Sequence, residues 1–270
     1  MVNADITPAL QRYVALVEYA GVQYHGWQKQ PQADSVQSRL EKALSKVANQ
    51  PIQVVCAGRT DAGVHALGQV VHFDAPKGLR SPRNWLLGGN VHLPDDIKLL
   101  SVNNVSMDFH ARFSATERHY QYWLKAGGVR SGVFHYHCGY CNYSLDIDRM
   151  SEAADGWIGR HDFSSFRSSR CQAKSTVRVL TRLNISIQHD MLLFEVSANA
   201  FLHHMVRFMI AALVEVGRGR RSVSWAHDLV KFKEGTVAKL VDAKGLYLVG
   251  VDYPSLFGIK KRSSTWCCFV

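Results

Sequence analysis

A loop at residues 58–65 carries the residue types that carboxylate chemistry requires. Its sequence is Gly-Arg-Thr-Asp-Ala-Gly-Val-His, so Asp61 lies two positions after Arg59. Gly58 and Gly63 flank this pair, and residues without a β-carbon let a backbone approach a ligand closely. A carboxylate beside a cation can act as a nucleophile or a general base. A tight turn in which Asp61 only accepts hydrogen bonds from nearby amides explains the same residues, and on residue types alone it is the more common case.

A second segment, residues 199–207, combines two histidines with an arginine. On a helix, His203 and His204 would point about 100° apart, so they would not both bind one metal ion from the same face. This favours core or interface histidines over a metal site. Arg207 lies among apolar residues, where a guanidinium is costly unless an acid pairs with it. The pattern therefore predicts an acidic partner for Arg207.

The pair Cys138 and Cys141 has the spacing of half a zinc site or of a redox pair, and His135 and His137 come just before it. The sequence has no second pair at this spacing, because residues 267–268 are adjacent cysteines. We therefore expect no metal site. Six scattered cysteines in a chain of this length suit a reducing cytoplasm rather than a disulfide framework.

Aromatic and basic residues alternate in residues 109–113 and 118–123. Aromatic rings stack on unpaired bases and basic side chains bind phosphates, so the pattern suits single-stranded or looped RNA. An amphipathic strand explains the alternation equally well. The basic run at residues 218–221 is either a phosphate contact or a solvated helix end with a favourable charge for the helix dipole.

Composition narrows the class of partner. The chain has 32 Lys and Arg residues against 22 Asp and Glu, a net charge of +10, which favours a polyanion such as nucleic acid over an anionic membrane. The longest apolar run, residues 208–214, is seven residues long, whereas a membrane span needs roughly 18 to 20. The first ten residues do not read as a secretory signal. We therefore expect a cytoplasmic protein with no membrane partner.

No phosphate-binding or dinucleotide-binding glycine motif, nucleophilic-serine motif or paired metal-ligand motif is found in the sequence. An enzyme built on this chain would therefore work without a nucleotide cofactor or a metal.

The elements that must position these residues alternate between strands and helices, which predicts an α+β fold with antiparallel sheets and helices on one face. The pattern predicts strands at residues 13–19, 52–57, 69–73, 97–102, 119–125, 177–188, 191–197 and 246–252. The strands at 177–188 and 191–197 are expected to form a hairpin that turns at residues 189–190. The same pattern predicts helices at residues 34–47, 82–87, 146–158, 200–216 and 224–232. In the first of these, Asp34 is expected to cap the helix, and apolar residues at 36, 40, 43, 44 and 47 are expected to form one buried face.

A length of 270 residues suggests two domains. We expect a flexible leader at residues 1–11 and an N-terminal α+β domain at 12–110 that carries the Asp61 loop. A C-terminal α+β domain follows at 111–258. The segment 259–270 is unlike the rest in composition, and we expect it to be a disordered tail.

Five sequence blocks, in order, resemble the motifs of the tRNA pseudouridine synthase A family. The loop of Asp61, with the strand that follows it, resembles the active-site signature of this family. The blocks are residues 21–28, 57–73, 108–116, 199–207 and 245–254. Five blocks in the right order are far more specific than any one of them, and they favour the catalytic interpretation of Asp61 over the plain turn.

The resemblance implies a fold and an activity. The fold would have two halves that resemble RNA-recognition motifs, with antiparallel sheets joined around a central RNA-binding cleft and helices on the outer face. The activity would be that of a cytoplasmic homodimer that isomerises uridine to pseudouridine at positions 38, 39 and 40 of the tRNA anticodon stem-loop. No cofactor is implied, because the product is an isomer of the substrate.

The resemblance also implies roles for individual residues. Asp61 matches the catalytic nucleophile and Arg207 the arginine that forms an ion pair with it. Tyr120 matches the aromatic residue that stacks on the target uracil, and its hydroxyl or a water would accept the C5 proton. Arg59 matches the residue that enters the RNA and flips the base, and Leu246 an apolar residue under the base. Attack at C1′, attack at C6 and a glycal route all remain open.

Further residues fall where the family contacts tRNA. They are Arg80, Phe109, His110, Ala111, Arg112, Phe113, Arg170, Cys171, Gln172, Ala173 and Lys174. Two positions depart from the family pattern: Phe208 replaces an asparagine, and Lys174 replaces an arginine, so its contact would be a point charge rather than a fork. A non-catalytic RNA-binding module on the same fold, and a synthase for a different RNA, remain alternatives.

Overall fold

The computed structural model describes residues 9–231 and 240–259. The predicted leader and tail therefore lie outside the described residues, apart from residues 9–11 and 259. The chain divides into two compact units. Unit 1 takes the chain up to Ala62, Ala66–Ala115 and the residues from Gly250 onward, and unit 2 takes Gly63–His65 and Thr116–Val249. Each unit is therefore built from more than one segment of the chain, and no single boundary in the sequence separates them.

The described residues of unit 1 contain antiparallel strands and two α-helices. Its strands are β1 (Leu10–Tyr19), β2 (Val55–Cys56), β3 (His65–Pro76, of which His65 belongs to unit 2) and β4 (Ile97–Val105), and its helices are α1 (Val36–Ala48) and α2 (Pro82–His92). Strand β1 pairs with both β3 and β4, and β2 pairs with β3. Because β1 begins at Leu10, the predicted leader is too long. The strand expected at 52–57 is reduced to two residues.

Helix α1 shows how the sequence sets local structure in unit 1. Its predicted apolar face is confirmed, since Val36, Leu40 and Leu44 are fully buried. The helix begins at Val36, two residues later than predicted, and the side chain of Ser35 caps it by accepting from the amide of Ser38. The carboxylate of Asp34, expected to be the cap, pairs with Arg39 instead.

The described residues of unit 2 contain a further set of strands and three α-helices. Its strands are β5 (Glu117–Ala126), β6 (Gly139–Cys141), β7 (Gly159–Asp162), β8 (Val177–Gln188), β9 (Met191–Ala198) and β10 (Leu246–Asp252). The last three residues of β10, Gly250–Asp252, belong to unit 1. The helices are α3 (Ile147–Asp155), α4 (Met205–Gly217) and α5 (Val223–Lys231). The strand order is β10-β5-β9-β8-β7, with β6 beside β5.

The pairings within unit 2 are mainly antiparallel. Strand β9 pairs antiparallel with both β5 and β8, and β8 pairs antiparallel with β7, whereas β6 runs parallel to β5. The predicted hairpin of β8 and β9 is confirmed. The predicted mixed α+β class is confirmed as well.

Helix α4 begins later than the periodicity predicts, at Met205 rather than near residue 200. The side-chain oxygen of Asn199 accepts hydrogen bonds from the amides of Val179 and Ala200, which holds the preceding chain out of a helix. His204 then takes the left-handed conformation, with φ of 66°. The two histidines therefore precede the helix instead of lying on it.

Candidate active site

The loop that carries Asp61 is fixed by its backbone. The carbonyl of Thr60 accepts from the amide of Trp27 at 3.0 Å, and the Thr60 hydroxyl bonds to that of Tyr19 at 2.8 Å. The carbonyl of Gly58 accepts from the buried amide group of Gln69 at 2.6 Å. The backbone of the loop is therefore held on both sides of Arg59, which fixes the positions from which the loop side chains project.

Gly26 explains why the block at residues 21–28 accompanies the loop. Its φ of 87° lies in the region that favours glycine, and a β-carbon there would lie 2.8 Å from the Thr60 carbonyl oxygen. Trp27 is buried beside Tyr19, with 5.9 Å between ring centroids. Residues 26 and 27 of this block therefore pack against the backbone of the loop at Thr60. Reasoning from residue types alone missed this role, although the resemblance included the block.

Arg59 and Asp61 differ in exposure. The side chain of Arg59 is exposed, whereas Asp61 is half-buried. An exposed arginine on a fixed loop is available to a polyanion, and a half-buried carboxylate is shielded from bulk water on part of its surface. Both features suit the roles that the resemblance implies for them.

In unit 2, Tyr120 lies in β5, directly opposite Val196 of β9. Its ring is mostly buried, and Phe201 meets it edge to face with 5.1 Å between centroids. Phe201 belongs to the irregular segment before α4, so this segment braces the aromatic ring.

Arg207 is the third residue of α4 and is half-buried. Its Nε donates to the carbonyl of Val241 at 3.0 Å. The chain after Val241 leads into a short 3-10 helix, Ala243–Gly245, and then into Leu246, the buried first residue of β10. Within unit 2, this hydrogen bond connects Arg207 to the segment that leads into Leu246.

Packing around Gly245 fixes that segment further. A β-carbon at Gly245 would lie 2.7 Å from the Trp123 carbonyl oxygen, and the Tyr122 hydroxyl donates to the carbonyl of Asp242 at 3.0 Å. Strand β5 therefore carries Tyr120 and also packs against the segment that immediately precedes Leu246.

The two histidines before α4 lie against each other, with ring centroids 3.8 Å apart. The prediction that they point apart on one helix is wrong, because His204 is left-handed and precedes the helix. His203 connects by its backbone to the predicted RNA-contact segment: its amide donates to Cys171 Sγ and its carbonyl accepts from the amide of Ser168.

His65, which ends the loop, is a functional candidate that sequence reasoning left without a role. Its ring stacks on that of Tyr247 at 4.6 Å, and its Nε2 lies 3.1 Å from the carbonyl oxygen of Tyr136. Burial lowers the pKa of His65 to about 4, so the imidazole is neutral at pH 7.

The predicted RNA contacts at residues 109–113 divide into two groups. The side chains of Phe109 and Ala111 are fully buried, which corrects the expectation that they reach RNA. His110 is half-buried, Arg112 is exposed and Phe113 is 76% exposed. The His110 ring stacks on Phe113 at 4.3 Å, and the Arg112 guanidinium lies 5.7 Å from the Phe113 centroid. The outward-facing group has the aromatic and basic character that RNA binding needs.

The remaining predicted contacts are mostly on the surface. Arg80 in unit 1 and Arg170, Gln172 and Lys174 in unit 2 are exposed, and Ala173 is half-buried. Cys171 is buried, so its side chain is not available to RNA.

The thiol of Cys171 occupies an unusual environment. Burial alone would raise its pKa, but hydrogen bonds from the amides of His203 and Ala173, with the Arg167 guanidinium, outweigh burial and lower it.

The Cys138 and Cys141 thiols each lie near a backbone carbonyl, of Phe134 and Tyr143 respectively. Burial raises the pKa of Cys138. Metal ions bind the thiolate rather than the thiol, so a raised pKa disfavours metal binding at this residue.

Among residues 9–231 and 240–259, each helix is too short or too polar to cross a lipid bilayer.

Comparison with known proteins gives a consistent result. A family model described as tRNA pseudouridine synthase matches residues 15–114 and 153–254. A protein named tRNA pseudouridine synthase A from Nitrosomonas europaea is 51% identical over 92% of this chain and 91% of its own length. A protein of the same name from Nitrosomonas eutropha is 50% identical over 92% of this chain and 90% of its own length. Another, from Shewanella piezotolerans, is 47% identical over 91% of this chain and 94% of its own length.

Proposed function

The chain belongs to the tRNA pseudouridine synthase family and is therefore an isomerase, and from this membership we propose that it converts uridine to pseudouridine at positions 38, 39 and 40 of the tRNA anticodon stem-loop. The observation that carries the proposal is the loop of Asp61, which is fixed by Trp27, Tyr19 and Gln69 and presents an exposed Arg59. A fixed carboxylate beside an available cation is what a base-flipping isomerase requires.

The reaction begins with extrusion of the target uridine. Unstacking a paired base costs a few kcal/mol, and stacking on an aromatic side chain returns about 1 to 3 kcal/mol. Tyr120, braced by Phe201, provides that ring. Arg59 occupies the vacated position in the stem and binds phosphate, and Leu246 packs beneath the extruded base.

The carboxylate of Asp61 then attacks C1′, which forms a C1′–O bond and breaks the C1′–N1 bond. The uracil leaves as an anion, rotates, and attacks C1′ through C5, which releases the carboxylate. The proton on C5 passes to the Tyr120 hydroxyl or to a water, and N1 gains a proton, so the product has the atoms of the substrate. Attack at C6 or a glycal route would use the same carboxylate.

Arg207 is proposed as the cation that pairs with Asp61. Its Nε is held by the Val241 carbonyl, which sets the direction in which the Nη groups of the planar guanidinium point. Its place in the first turn of α4 adds the positive end of the helix dipole to its charge.

The assembly is part of the same proposal. We place the reaction in the cytoplasm, in a homodimer without metal or nucleotide cofactor, with each α+β unit corresponding to an RRM-like half. The surface residues Arg80, Arg112, Phe113, Arg170 and Lys174 supply the basic and aromatic contacts to tRNA. The net charge of +10 supports a polyanionic substrate.

The test is tritium release from C5-labelled uridine in unmodified tRNA, because C5 loses its hydrogen only when the isomer forms. Wild type is compared with Asp61→Ala and with Asp95→Ala, which removes an exposed carboxylate elsewhere in unit 1. Release by wild type and Asp95→Ala but not by Asp61→Ala is expected. Release that persists when positions 38 to 40 lack uridine would indicate a different target. Tight tRNA binding with no release from wild type would indicate an RNA-binding module instead.

A further inference from the structure

Arg12 connects strand β1 to two other parts of unit 1. It lies in β1 directly opposite Asp74 of β3. Its Nε donates to Asp74 Oδ1 at 2.8 Å and its Nη2 to Oδ2 at 2.7 Å, a fork-to-fork ion pair. The two side chains are only 17% and 29% exposed, and the hydrogen bonds with Arg12 lower the pKa of Asp74.

The remaining nitrogen of Arg12 reaches the turn that carries the predicted RNA contacts. Its Nη1 donates to the carbonyl of Met107 at 2.7 Å and to the carbonyl of Phe109 at 2.8 Å. Arg12 thus joins the sheet to the backbone at the start of this turn.

Two other side chains hold the middle of the same turn at Ala111. The Ala111 amide donates to Nδ1 of His72 at 3.1 Å, and its carbonyl accepts from the Tyr253 hydroxyl at 2.6 Å. Phe109 is buried against Tyr253 and Phe257, with centroids 5.0 and 5.2 Å away. The backbone of the turn is therefore fixed from the core side, while the outward side presents Phe113.

From this arrangement we infer that Arg12 and Asp74 are positioning residues for RNA binding, because their ion pair fixes the turn from which Arg112 and Phe113 project. In this inference both residues act through the turn and not on the reacting atoms. An exposed ring binds a base most strongly when its orientation is set before the RNA arrives, since ordering it on binding would cost affinity. This inference rests on the proposed function, because it assumes that the exposed side of the turn meets RNA.

The first test does not depend on catalysis. Amide hydrogen exchange at residues 111–113 is compared in wild type, in Arg12→Lys, which keeps the charge but loses the fork, and in Arg39→Lys. Arg39 makes an ion pair of the same fork type with Asp34 on the surface of unit 1, so it is a matched control. Exchange about tenfold faster in Arg12→Lys alone is expected; unchanged exchange in that variant would overturn the inference.

The second test asks whether Arg12 acts through the turn. Arg12→Lys should raise KM for tRNA about tenfold, the effect of one charge-assisted hydrogen bond on an equilibrium constant, with kcat within about twofold of wild type. In a Phe113→Ala background the same substitution should add little. Additive effects, or an equal rise in KM for Arg39→Lys, would show that Arg12 does not act through Phe113.

A further variant guards against loss of folding. If Arg12→Lys does not fold, Asp74→Asn breaks the ion pair while keeping the shape of the partner, and the same measurements apply. If wild type neither binds nor modifies tRNA, the proposed function fails, while the exchange data still decide whether Arg12 fixes the turn.

Discussion

Gly26 lies directly against the backbone of Asp61. A β-carbon at position 26 would lie 3.1 Å from the Asp61 carbonyl carbon and 2.8 Å from the Thr60 carbonyl oxygen. Replacing Gly26 by any other residue must therefore move the loop that carries the proposed nucleophile, since backbone atoms cannot step aside as a flexible side chain can.

The first prediction concerns this contact. Gly26→Ala should lower kcat by at least about a hundredfold, because a displacement of about 1 Å at a reacting group costs that much. Gly78→Ala is the matched control: Gly78 also has a positive φ, of 79°, but a β-carbon added there would have no atom within 4 Å. Tritium release and thermal unfolding are measured for both. Equal losses of activity in the two variants would assign the effect to backbone strain rather than to the loop.

The second prediction separates the two roles proposed for Tyr120. Tyr120→Phe keeps the ring but removes the hydroxyl, so it should lower kcat by about a hundredfold or more if the hydroxyl accepts the C5 proton, with tRNA affinity unchanged. Tyr140→Phe removes a hydroxyl that donates to the Gly128 carbonyl elsewhere in unit 2 and should leave kcat unchanged. A Tyr120→Phe enzyme with normal kcat would assign the proton transfer to water and leave Tyr120 only its stacking role.

The third prediction follows from charge. With a net charge of +10, tRNA binding should weaken steeply as salt rises from about 50 to 200 mM, because phosphate contacts release counterions. Affinity is measured by filter binding across this range. Lys174→Gln should reduce the slope by about one unit, and a slope near zero in wild type would contradict a phosphate-dominated interface.

The fourth prediction concerns acid stability. Burial lowers the pKa of His72 to about 4, with the Arg12 charge adding to the effect, and burial likewise lowers the pKa of His65 to about 4. Between about pH 6.5 and 4 the unfolded chain binds more protons than the folded chain, so stability should be fully present above this window and fall as pH falls through it. The slope from each histidine is at most about 1.4 kcal/mol per pH unit.

His72→Asn tests the assignment, because the asparagine oxygen can still accept from the Ala111 amide but does not titrate in this range. Its melting temperature should depend less on pH than that of wild type. His25→Asn changes an exposed histidine of the same unit and should reproduce the wild-type slope. Identical slopes in His72→Asn and wild type would contradict a buried neutral imidazole.

Local periodicity was sufficient where a single element buries one face. It predicts the buried face of α1 and the hairpin of β8 and β9, because side chains at helical or strand spacing must meet the core together. It fails where side chains compete with the backbone. Asn199 bonds to the amides of Val179 and Ala200, so α4 begins at Met205, and no hydrophobic pattern contains that information.

For the candidate site, the sequence proposes a set of residues but does not indicate which groups support them. The resemblance points to Asp61, Tyr120, Arg207 and Leu246, whereas the groups that support them come from distant parts of the sequence. Tyr19 bonds to Thr60 across 41 residues. Alternation alone also could not separate Phe109, which is buried, from Phe113, which is exposed, because the difference depends on where Tyr253 and Phe257 pack.

The hydrogen bond from Tyr253 to the carbonyl of Ala111 joins residues 142 positions apart. During synthesis, the ribosome must therefore extend the chain as far as Tyr253 before the turn at residues 107–113 gains this support. Unit 1 combines residues before Ala62 with residues from Gly250 onward. A nascent chain that has already formed the strands on either side of Asp61 would still lack this hydrogen bond, so the order of translation delays the support of the turn until Tyr253 has been made.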